Sequence, residues 1–313
     1  MATVMITGGT GMIGSALTKS LIDKGYNVII LTRGKEKIVS ATGAMEYSKW
    51  DVEKGEIDKD AVKRADFIIH LAGAGIADKR WTRRRKLEIV NSRVEGGKLL
   101  AKALKEYTNQ VKAVITASAI GWYGPDPTIP NPHPFTETDP ASSDFLGSTC
   151  KQWEQSLEPV TELGKRLVKI RTGIVLSKKG DVLGEFRKPL RFGIATILGN
   201  GKQVMSWVHL DDLVRIYITA IENEKLHGTY NAVAPKPVAN KELVITLAKK
   251  IKGNYFIPVH VPSFVLRTVL GQMSIEVLKS ATVSSEKIKM AGFVFQFPTI
   301  EAALNHIEIK DKN

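Results

Sequence analysis

Three glycines in a turn near the start of the chain carry the clearest chemistry in the sequence. Gly8, Gly11 and Gly14 follow an apolar run typical of a buried strand and lead into a segment with helical apolar spacing. Glycines in such a turn permit unusual backbone angles, let the main chain approach a pyrophosphate and let helix and strand pack closely. The helix would begin at Met12 and Ile13, where free N–H groups attract phosphate. These five residues therefore predict a dinucleotide site.

The residues after the second apolar run indicate which dinucleotide to expect. Sites for NAD usually place Asp or Glu about 20 residues beyond the glycines, where the acid binds the ribose hydroxyls. This chain has Thr32 and Arg33 there, with Lys35 and Lys37 nearby. A guanidinium pairs bidentately with phosphate, although an arginine in a turn is also often simply solvated. We predict that Thr32 and Arg33 contact NADP(H) rather than NAD(H).

Two further segments offer contacts to the same cofactor. Asp51 ends the next predicted strand, where it would either bind an adenine amino group or cap a turn, and both interpretations stay open. Another buried strand ends at Leu71 and runs into Ala72 and Gly73, which let a flat ligand lie against the backbone. His70 lies within that apolar run, which favours a core histidine over a catalytic one.

The elements that position these residues alternate between strand and helix. Residues 3–32 are predicted as strand, helix and strand, which requires a parallel sheet and a right-handed crossover. Further strands are predicted at 111–118 and 167–171, with helices at 82–107 and 143–163. The pattern predicts an α/β fold, a Rossmann-type doubly wound parallel sheet with a smaller C-terminal α/β substrate lobe.

The alternation weakens after residue 175, and the predicted domains divide there. An NADP-binding Rossmann domain spans 1–175, with later segments at about 203–232 returning to it, and the substrate lobe spans 176–313. Asp212 opens a predicted helix three residues after His209. We interpret this pair as a structural bridge between the sheet and the C-terminal lobe.

Composition narrows the class of protein. The 313 residues are 43% hydrophobic and 25% charged, which is typical of a globular chain. No apolar run approaches the roughly 20 residues of a membrane span, and the start of the chain lacks the pattern of a signal peptide. The single cysteine, Cys150, fits a reducing compartment. We expect a cytoplasmic protein without membrane contact.

The net charge of +13 raises nucleic-acid binding as a function. The basic residues are scattered except for a cluster at 79–86, which suits a phosphate-bearing small ligand as well as a nucleic acid. We favour a solvated surface. The expected partner is a small-molecule substrate and not a nucleic acid, and a homodimer stays open.

Several motifs together resemble a known superfamily. The segments at 7–14, 71–73, 171–176 and 207–212 resemble the extended short-chain dehydrogenase/reductases, the NAD-dependent epimerase/dehydratase group that acts on nucleotide sugars. A closer resemblance is to the atypical epimerase family protein branch. It is carried by the segments 76–81, 92–93, 121–124 and 153–154 and by a C-terminal helical extension around 261–307.

The resemblance implies catalysis by Ser or Thr with Tyr and Lys. In that chemistry Tyr exchanges a proton with the substrate, Lys lowers the pKa of Tyr and holds the nicotinamide ribose, and Ser binds the reacting oxygen. Ser118 matches the serine. Counting back from Glu154 puts Leu146 in the tyrosine position and Cys150 in the lysine position. The Tyr-x-x-x-Lys motif is therefore missing.

Three interpretations of the reaction stay open. In the first, Ser118 and Tyr123 serve a modified redox or epimerase site, with Lys151 or Arg93 supplying charge, although Tyr123 would alternatively belong to a substrate loop. In the second, Cys150 is a functional group, whereas lone buried cysteines are more often inert. In the third, the protein binds NADP(H) without turnover, as a regulator or scaffold. We expect hydride transfer on a carbonyl or nucleotide-sugar-like substrate.

The resemblance also implies further cofactor contacts. Glu88, Ser92 and Arg93 lie at helical spacing on the predicted 82–107 helix, where each faces either the cofactor or the surface. Main-chain groups around Ile174 and Val175 would border the nicotinamide. No metal site is expected.

Overall fold

A mostly parallel sheet runs through the centre of the molecule. The computed structural model describes residues 1–34, 38–39, 44–178 and 182–308. The strands in these residues are β1 (Thr3–Thr7), β2 (Asn27–Thr32), β3 (Ile38–Val39), β4 (Met45–Asp51), β5 (Glu56–Ile57), β6 (Phe67–His70), β7 (Ala113–Ala119), β8 (Arg166–Thr172), β9 (Ile174–Leu176), β10 (Ile194–Leu198), β11 (Val204–Met205), β12 (Trp207–His209), β13 (Gly228–Ala232), β14 (Val238–Ala239) and β15 (Ile257–Val261). Strands β13-β8-β7-β6-β1-β2-β4 are parallel neighbours, and β3 and β5 pair antiparallel with β4. The predicted fold class is confirmed.

Helices cover both faces of this sheet. They are α1 (Met12–Asp23), α2 (Lys59–Arg64), α3 (Arg83–Glu106), α4 (Phe145–Ser156), α5 (Pro159–Glu162), α6 (Val182–Leu190), α7 (Leu210–Glu222), α8 (Asn240–Lys252), α9 (Ser263–Leu270), α10 (Ser274–Leu278), α11 (Glu286–Met290) and α12 (Ile300–Ile307). Val4 and Ile6 pack in one apolar core with α1 and α7, whereas Met5 packs in a second core with α2 and α3. Because neighbouring strand residues face opposite ways, burial on both faces explains the continuous apolar runs.

No described helix combines the length and the apolar character that crossing a lipid bilayer requires.

One predicted helix is divided in two. The segment 143–163 forms α4, which ends at Ser156, and the short α5, which begins at Pro159. Proline lacks an N–H group and fits the first turn of a helix, so it starts a new helix instead of continuing the old one. The prediction of one continuous helix was therefore wrong.

Later segments pack beside the first sheet. Strand β13 pairs with β8, and β12 pairs with β9. Asp212 is fully buried and accepts hydrogen bonds from the backbone N–H groups of Gln296 and Phe297, both at 2.9 Å. His209 caps α7 by accepting the N–H of Asp211. Both residues thus have the structural contacts expected of a bridge to the C-terminal region, whereas the domain boundary at 175 stays a prediction.

His70 lies at the end of β6 inside the core. It is fully buried, and its Nδ1 atom shares a 2.7 Å hydrogen bond with Oγ1 of Thr7. Its Nε2 atom has no partner among the described residues. Burial, with a smaller contribution from the charge of Arg93, lowers the pKa of His70 to about 4. His70 is the core histidine that the sequence favoured.

We predict that neutral His70 makes stability depend on pH. Its folded-state pKa of about 4 lies below the ordinary value of 6.5, so its contribution is present above pH 6.5 and is lost as the pH falls towards 4. Chemical denaturation should show that His70→Asn loses less free energy of unfolding over this interval than the parent protein. The exposed His133 provides the control variant His133→Asn. Parallel profiles for the parent and His70→Asn would contradict the assignment.

Candidate functional site

The turn after β1 accepts only glycine at two positions. Gly8 has a φ of +73°, and a Cβ atom there would lie 3.0 Å from the backbone nitrogen of Ala72. A Cβ atom on Gly14 would lie 2.2 Å from the carbonyl oxygen of Gly8. The missing side chains let the turn lie against both α1 and the end of β6. The groove above it consequently has a floor of bare main chain.

Helix α1 presents an open N-terminus at this turn. Gly11 is its N-cap residue and provides no side-chain cap, and the first turn carries no acid. Because the first N–H groups of a helix have no partner within the helix, those of Met12 and Ile13 are available to an anion. The hydroxyl of Ser177 donates to the Met12 sulfur at 3.2 Å. That contact brings the end of β9, with the half-buried Ile174 and Val175, next to the turn.

Arg33 projects at the carboxyl end of β2, as the sequence predicted. Thr32 is the last residue of β2 and is half-buried, and Arg33 is exposed. The neighbouring Lys35 and Lys37 lie outside the described residues. An exposed guanidinium beside the glycine turn is well placed for a second phosphate.

Asp51 has the contacts of a turn cap. Its Oδ1 atom accepts the N–H groups of Glu53 and Lys54, at 3.1 and 3.2 Å. Of the two interpretations left open by the sequence, the geometry supports the turn cap. The contact with adenine stays a prediction.

The segment after β6 forms one wall of the groove. The N–H of Leu71 donates to the carbonyl oxygen of Thr7, and the N–H of Ala72 donates to the Thr7 hydroxyl. On α3, Ser92 accepts the N–H of Ala74 at 3.0 Å. These bonds fix the path of the chain through Gly73, which is exposed.

The three α3 candidates separate into two groups. Ser92 and Arg93 both contact Ala74, at the wall of the groove. Glu88 is instead exposed and forms a 2.7 Å ion pair with Arg85. The structure therefore brings Ser92 and Arg93 to the predicted site and gives Glu88 a surface contact.

Ser118 belongs to a buried network at the carboxyl ends of β7 and β8. Its hydroxyl donates to Oε1 of Glu154 at 2.7 Å. Arg171 donates to both carboxylate oxygens of Glu154, from Nε at 2.8 Å and from Nη2 at 3.2 Å. All three residues are at most 4% exposed. The serine proton therefore points at a carboxylate, which leaves that hydroxyl without a proton to donate to a substrate oxygen.

Tyr123 continues the same network. It is fully buried, and its hydroxyl donates to Oδ1 of Asn231 at 2.8 Å and accepts from Nη1 of Arg171 at 3.0 Å. Its ring stacks on Phe135 at 5.2 Å between centroids. Burial raises the pKa of Tyr123 to about 12. The Tyr123 hydroxyl is thus buried and bonded on both sides, and its role as an acid or base stays a prediction.

Cys150 and Lys151 lie on different sides of α4. Cys150 is 4% exposed, and burial raises the pKa of its thiol to about 12. Leu146, in the tyrosine position, packs in an apolar cluster with Trp81. Lys151 is exposed to solvent, as the 100° step between successive helix residues requires. Cys150 is thus a buried thiol and Lys151 a surface residue, and the catalytic role of each stays a prediction.

Sequence reasoning missed Glu154, Arg171 and Asn231 as members of this site. Glu154 lies four residues after Cys150, on the side of α4 that also carries the buried Trp153. A carboxylate on an otherwise apolar helix face is the signal that would have found it, since a buried charge requires a partner. Arg171 and Asn231 lie within strands, where the same argument applies.

The basic cluster at 79–86 is partly structural. Arg85 is buried and bonds to the carbonyl oxygen of Gly75 and to Asp78. Arg80 donates to the carbonyl oxygen of Thr268 at 3.2 Å, and the ammonium of Lys86 lies 4.7 Å from the Phe145 ring centroid. Several charged side chains of this cluster therefore bind other residues of the chain.

Within the described chain, His209, Asp211 and His306 form one group whose ligand atoms lie within 4.8 Å of one another. The Nδ1 atom of His209 accepts the N–H of Asp211, so the proton of a neutral imidazole resides on Nε2. That atom lies 3.2 Å from Nδ1 of His306 and donates to it. A protonated nitrogen does not ligate a metal. The group is better explained as a hydrogen-bonded contact between β12 and α12.

Comparison of the sequence with protein families gives two matches. Residues 4–146 match the NAD dependent epimerase/dehydratase family, and residues 261–307 match a domain of unknown function, DUF1731. The chain is 34% identical to an epimerase family protein of Mycobacterium leprae, over 97% of this chain and 95% of the relative. It is 33% identical to one of Staphylococcus aureus, over 98% and 99% of the two chains.

Solved structures agree with this picture. The human epimerase family protein SDR39U1, crystallised with NADPH, superposes with a TM-score of 0.83 at 29% identity and covers 97% of this chain and 98% of its own. The UDP-N-acetylglucosamine 4-epimerase of Bacillus cereus superposes with a TM-score of 0.75 over 98% of each chain. At 19% identity the second similarity concerns the fold alone.

We predict that the Glu154 carboxylate is required for stability. Glu154→Leu leaves the Arg171 guanidinium buried without its counter-charge, which should lower the free energy of unfolding by about 3 kcal/mol. Glu158, which is largely exposed and pairs with Lys169, supplies the control variant Glu158→Leu. Urea titrations of the three proteins measure the difference. Equal stability of the two variants would show that the buried pair contributes little to the free energy of unfolding.

Proposed function

This chain belongs to the NAD dependent epimerase/dehydratase family, and from that premise we propose that it binds NADP(H) in the groove at the carboxyl ends of β1, β2 and β6. The observation that carries the proposal is the glycine turn, whose bare main chain and open helix N-terminus fit a pyrophosphate. The cofactor, when bound, supplies a hydride donor or acceptor at its nicotinamide. Free amide N–H groups suit an anionic ligand, whereas an apolar ligand would leave them without a hydrogen-bond partner.

Arg33 supports the choice of NADP(H). It stands exposed at the end of β2, and Thr32 and Gly34 on either side of it are uncharged. An acid at this place would repel a 2′-phosphate, whereas a guanidinium forms paired hydrogen bonds with it. The similar human protein SDR39U1 was crystallised with NADPH.

We predict a preference for NADPH that depends on Arg33. Arg33→Ala should raise the Kd for NADPH about 10-fold to 100-fold and leave the Kd for NADH nearly unchanged, because only NADPH carries the 2′-phosphate. Isothermal titration calorimetry measures both constants. The exposed Arg84 provides the control variant Arg84→Ala, which should bind like the parent. If the parent protein binds NADH as tightly as NADPH, the cofactor assignment is wrong.

The geometry favours a cofactor-binding regulator over an epimerase of the usual mechanism. The Ser118 hydroxyl donates a hydrogen bond to Glu154, and the buried Tyr123 hydroxyl donates one to Asn231. Cys150 is a buried thiol. These contacts leave Ser118, Tyr123 and Cys150 without access to a substrate oxygen. A redox or epimerase reaction on a carbonyl or nucleotide-sugar-like substrate would need its proton from another group.

The expected ligand is a small molecule and not a nucleic acid. Arg80, Arg85 and Lys86 are used within the fold, which leaves a smaller basic surface than the sequence suggests.

We predict that the NADPH-loaded protein does not interconvert UDP-sugars. Incubation with UDP-glucose and UDP-N-acetylglucosamine should give no new epimer by chromatography and no change in NADPH absorbance. The Bacillus cereus UDP-N-acetylglucosamine 4-epimerase is the positive control for the assay. Cofactor-dependent conversion that is lost in Ser118→Ala would establish the enzyme function and overturn the regulator.

A further inference from the structure

A two-stranded sheet in the C-terminal region exposes an apolar face. Strands β10 and β15 are parallel, and Ile194 pairs with Ile257. Ala195 and Ile197 pack in the apolar core, so Ile194, Ile257 and Val259 lie on the opposite face, because neighbouring strand residues point to opposite sides. These three side chains are 38%, 69% and 41% exposed. The outer face of this sheet therefore presents apolar side chains to solvent.

Two turns at one end of this sheet each combine a cation with an exposed aromatic ring. Arg191 and Phe192 precede β10, and Lys252 and Tyr255 precede β15. Phe192 is 83% exposed and Tyr255 is 88% exposed. The ammonium group of Lys252 donates to the carbonyl oxygen of Arg191 at 3.2 Å, so the two turns lie side by side. These four residues and the three apolar residues of the outer face form what we call the β10–β15 surface.

The segments that build the β10–β15 surface carry charge of one sign. Residues 186–210, which contain β10, include four Lys or Arg residues and no Asp or Glu. Residues 243–275, which contain β15, also include four Lys or Arg residues and no Asp or Glu. Of these cations, Arg187 and Lys188 pair with carboxylates outside the two segments. The others surround exposed apolar side chains with positive charge, which fits a partner that is both anionic and apolar.

The geometry and the charge of the sheet disfavour two kinds of partner. Among the described strands β15 pairs with β10 alone, which leaves its other edge open. The N–H of Ile257 donates to the carbonyl oxygen of Gly193. The ring nitrogen of Pro258 consequently faces the open edge and offers no donor to an added peptide strand. A second copy of the chain would bring another net charge of +13 against this surface, so a symmetric dimer is a poor fit as well.

We propose that the β10–β15 surface binds an anionic lipid bilayer. Phe192 and Tyr255 insert among the lipid headgroups while Arg191 and Lys252 contact lipid phosphates, because aromatic rings and cations are favoured at the membrane interface. Such binding needs no spanning segment. The proposal therefore revises the expectation of a protein without membrane contact, and it is independent of cofactor binding.

Co-sedimentation with lipid vesicles at low salt tests the proposal. The parent protein should bind vesicles of phosphatidylcholine with about one third phosphatidylglycerol, and it should not bind vesicles of phosphatidylcholine alone. The double variant Phe192→Ser with Tyr255→Ser should raise the Kd for the anionic vesicles at least about 10-fold, because the apolar contribution is lost. The double variant Arg191→Gln with Lys252→Gln should also raise it at least about 10-fold, because two cations no longer face the lipid phosphates.

A matched control separates this surface from exposed apolar residues in general. Met290 is 80% exposed and lies on α11, which packs against β13 of the main sheet. Met290→Ser should bind the anionic vesicles like the parent. The midpoint of urea denaturation, measured for every variant, shows that each protein is folded.

Several results would overturn the proposal. Failure of the parent to bind the anionic vesicles is one. Another is binding that the Phe192 and Tyr255 double variant leaves unchanged, which marks attraction by net charge alone. A parent that binds an acidic peptide of alternating Glu and Leu residues, and no vesicles, has a protein-docking surface instead. If the aromatic double variant does not fold, the Arg191 and Lys252 double variant decides, and unchanged vesicle affinity in that variant would refute the membrane contact.

Discussion

The buried ion pair between Glu154 and Arg171 is the interaction around which the second half of the site is arranged. Two charges removed from water are stable only when their remaining hydrogen-bonding groups are satisfied. Ser118 supplies a donor to the carboxylate, Tyr123 supplies an acceptor to the guanidinium, and the Trp122 ring centroid lies 3.6 Å from Cζ of Arg171. The same side chains that resemble catalytic residues in sequence are thereby used to stabilise a charge pair.

This arrangement gives the two halves of the groove different characters. At the glycine turn, the main chain is bare and its amide donors are available. Near β7 and β8 the polar side chains are already bonded to one another, with Asn231 of β13 closing the network through Tyr123. Binding of an anionic cofactor needs available amide donors such as those of the glycine turn. Proton transfer needs an accessible acid or base, and a side chain that is already bonded within a buried network does not provide one. In this structure the glycine turn has the features that binding an anionic cofactor needs, whereas the polar side chains of the second half are bonded to one another.

The sequence predicted the glycine turn and the buried strands well, because their signals are local. Gly8 and Gly14 are constrained by atoms a few residues away or on the adjacent strand, and continuous apolar runs identified strands buried on both faces. It did not predict the network around Glu154, because Glu154 meets Ser118 only after 36 residues of loop and helix have been placed. The burial of Tyr123, whose ring stacks on Phe135, likewise depends on residues distant from Ser118 in the sequence.

We propose that NADP(H) occupies the groove while the network beside it stays closed, and a crystal structure of the NADPH complex would decide this. We expect the pyrophosphate on the N–H groups of Met12 and Ile13, with the Ser118 hydroxyl still bonded to Glu154. A complex in which Ser118 or Tyr123 has left this network and stands within hydrogen-bond distance of a substrate oxygen at the nicotinamide would contradict it.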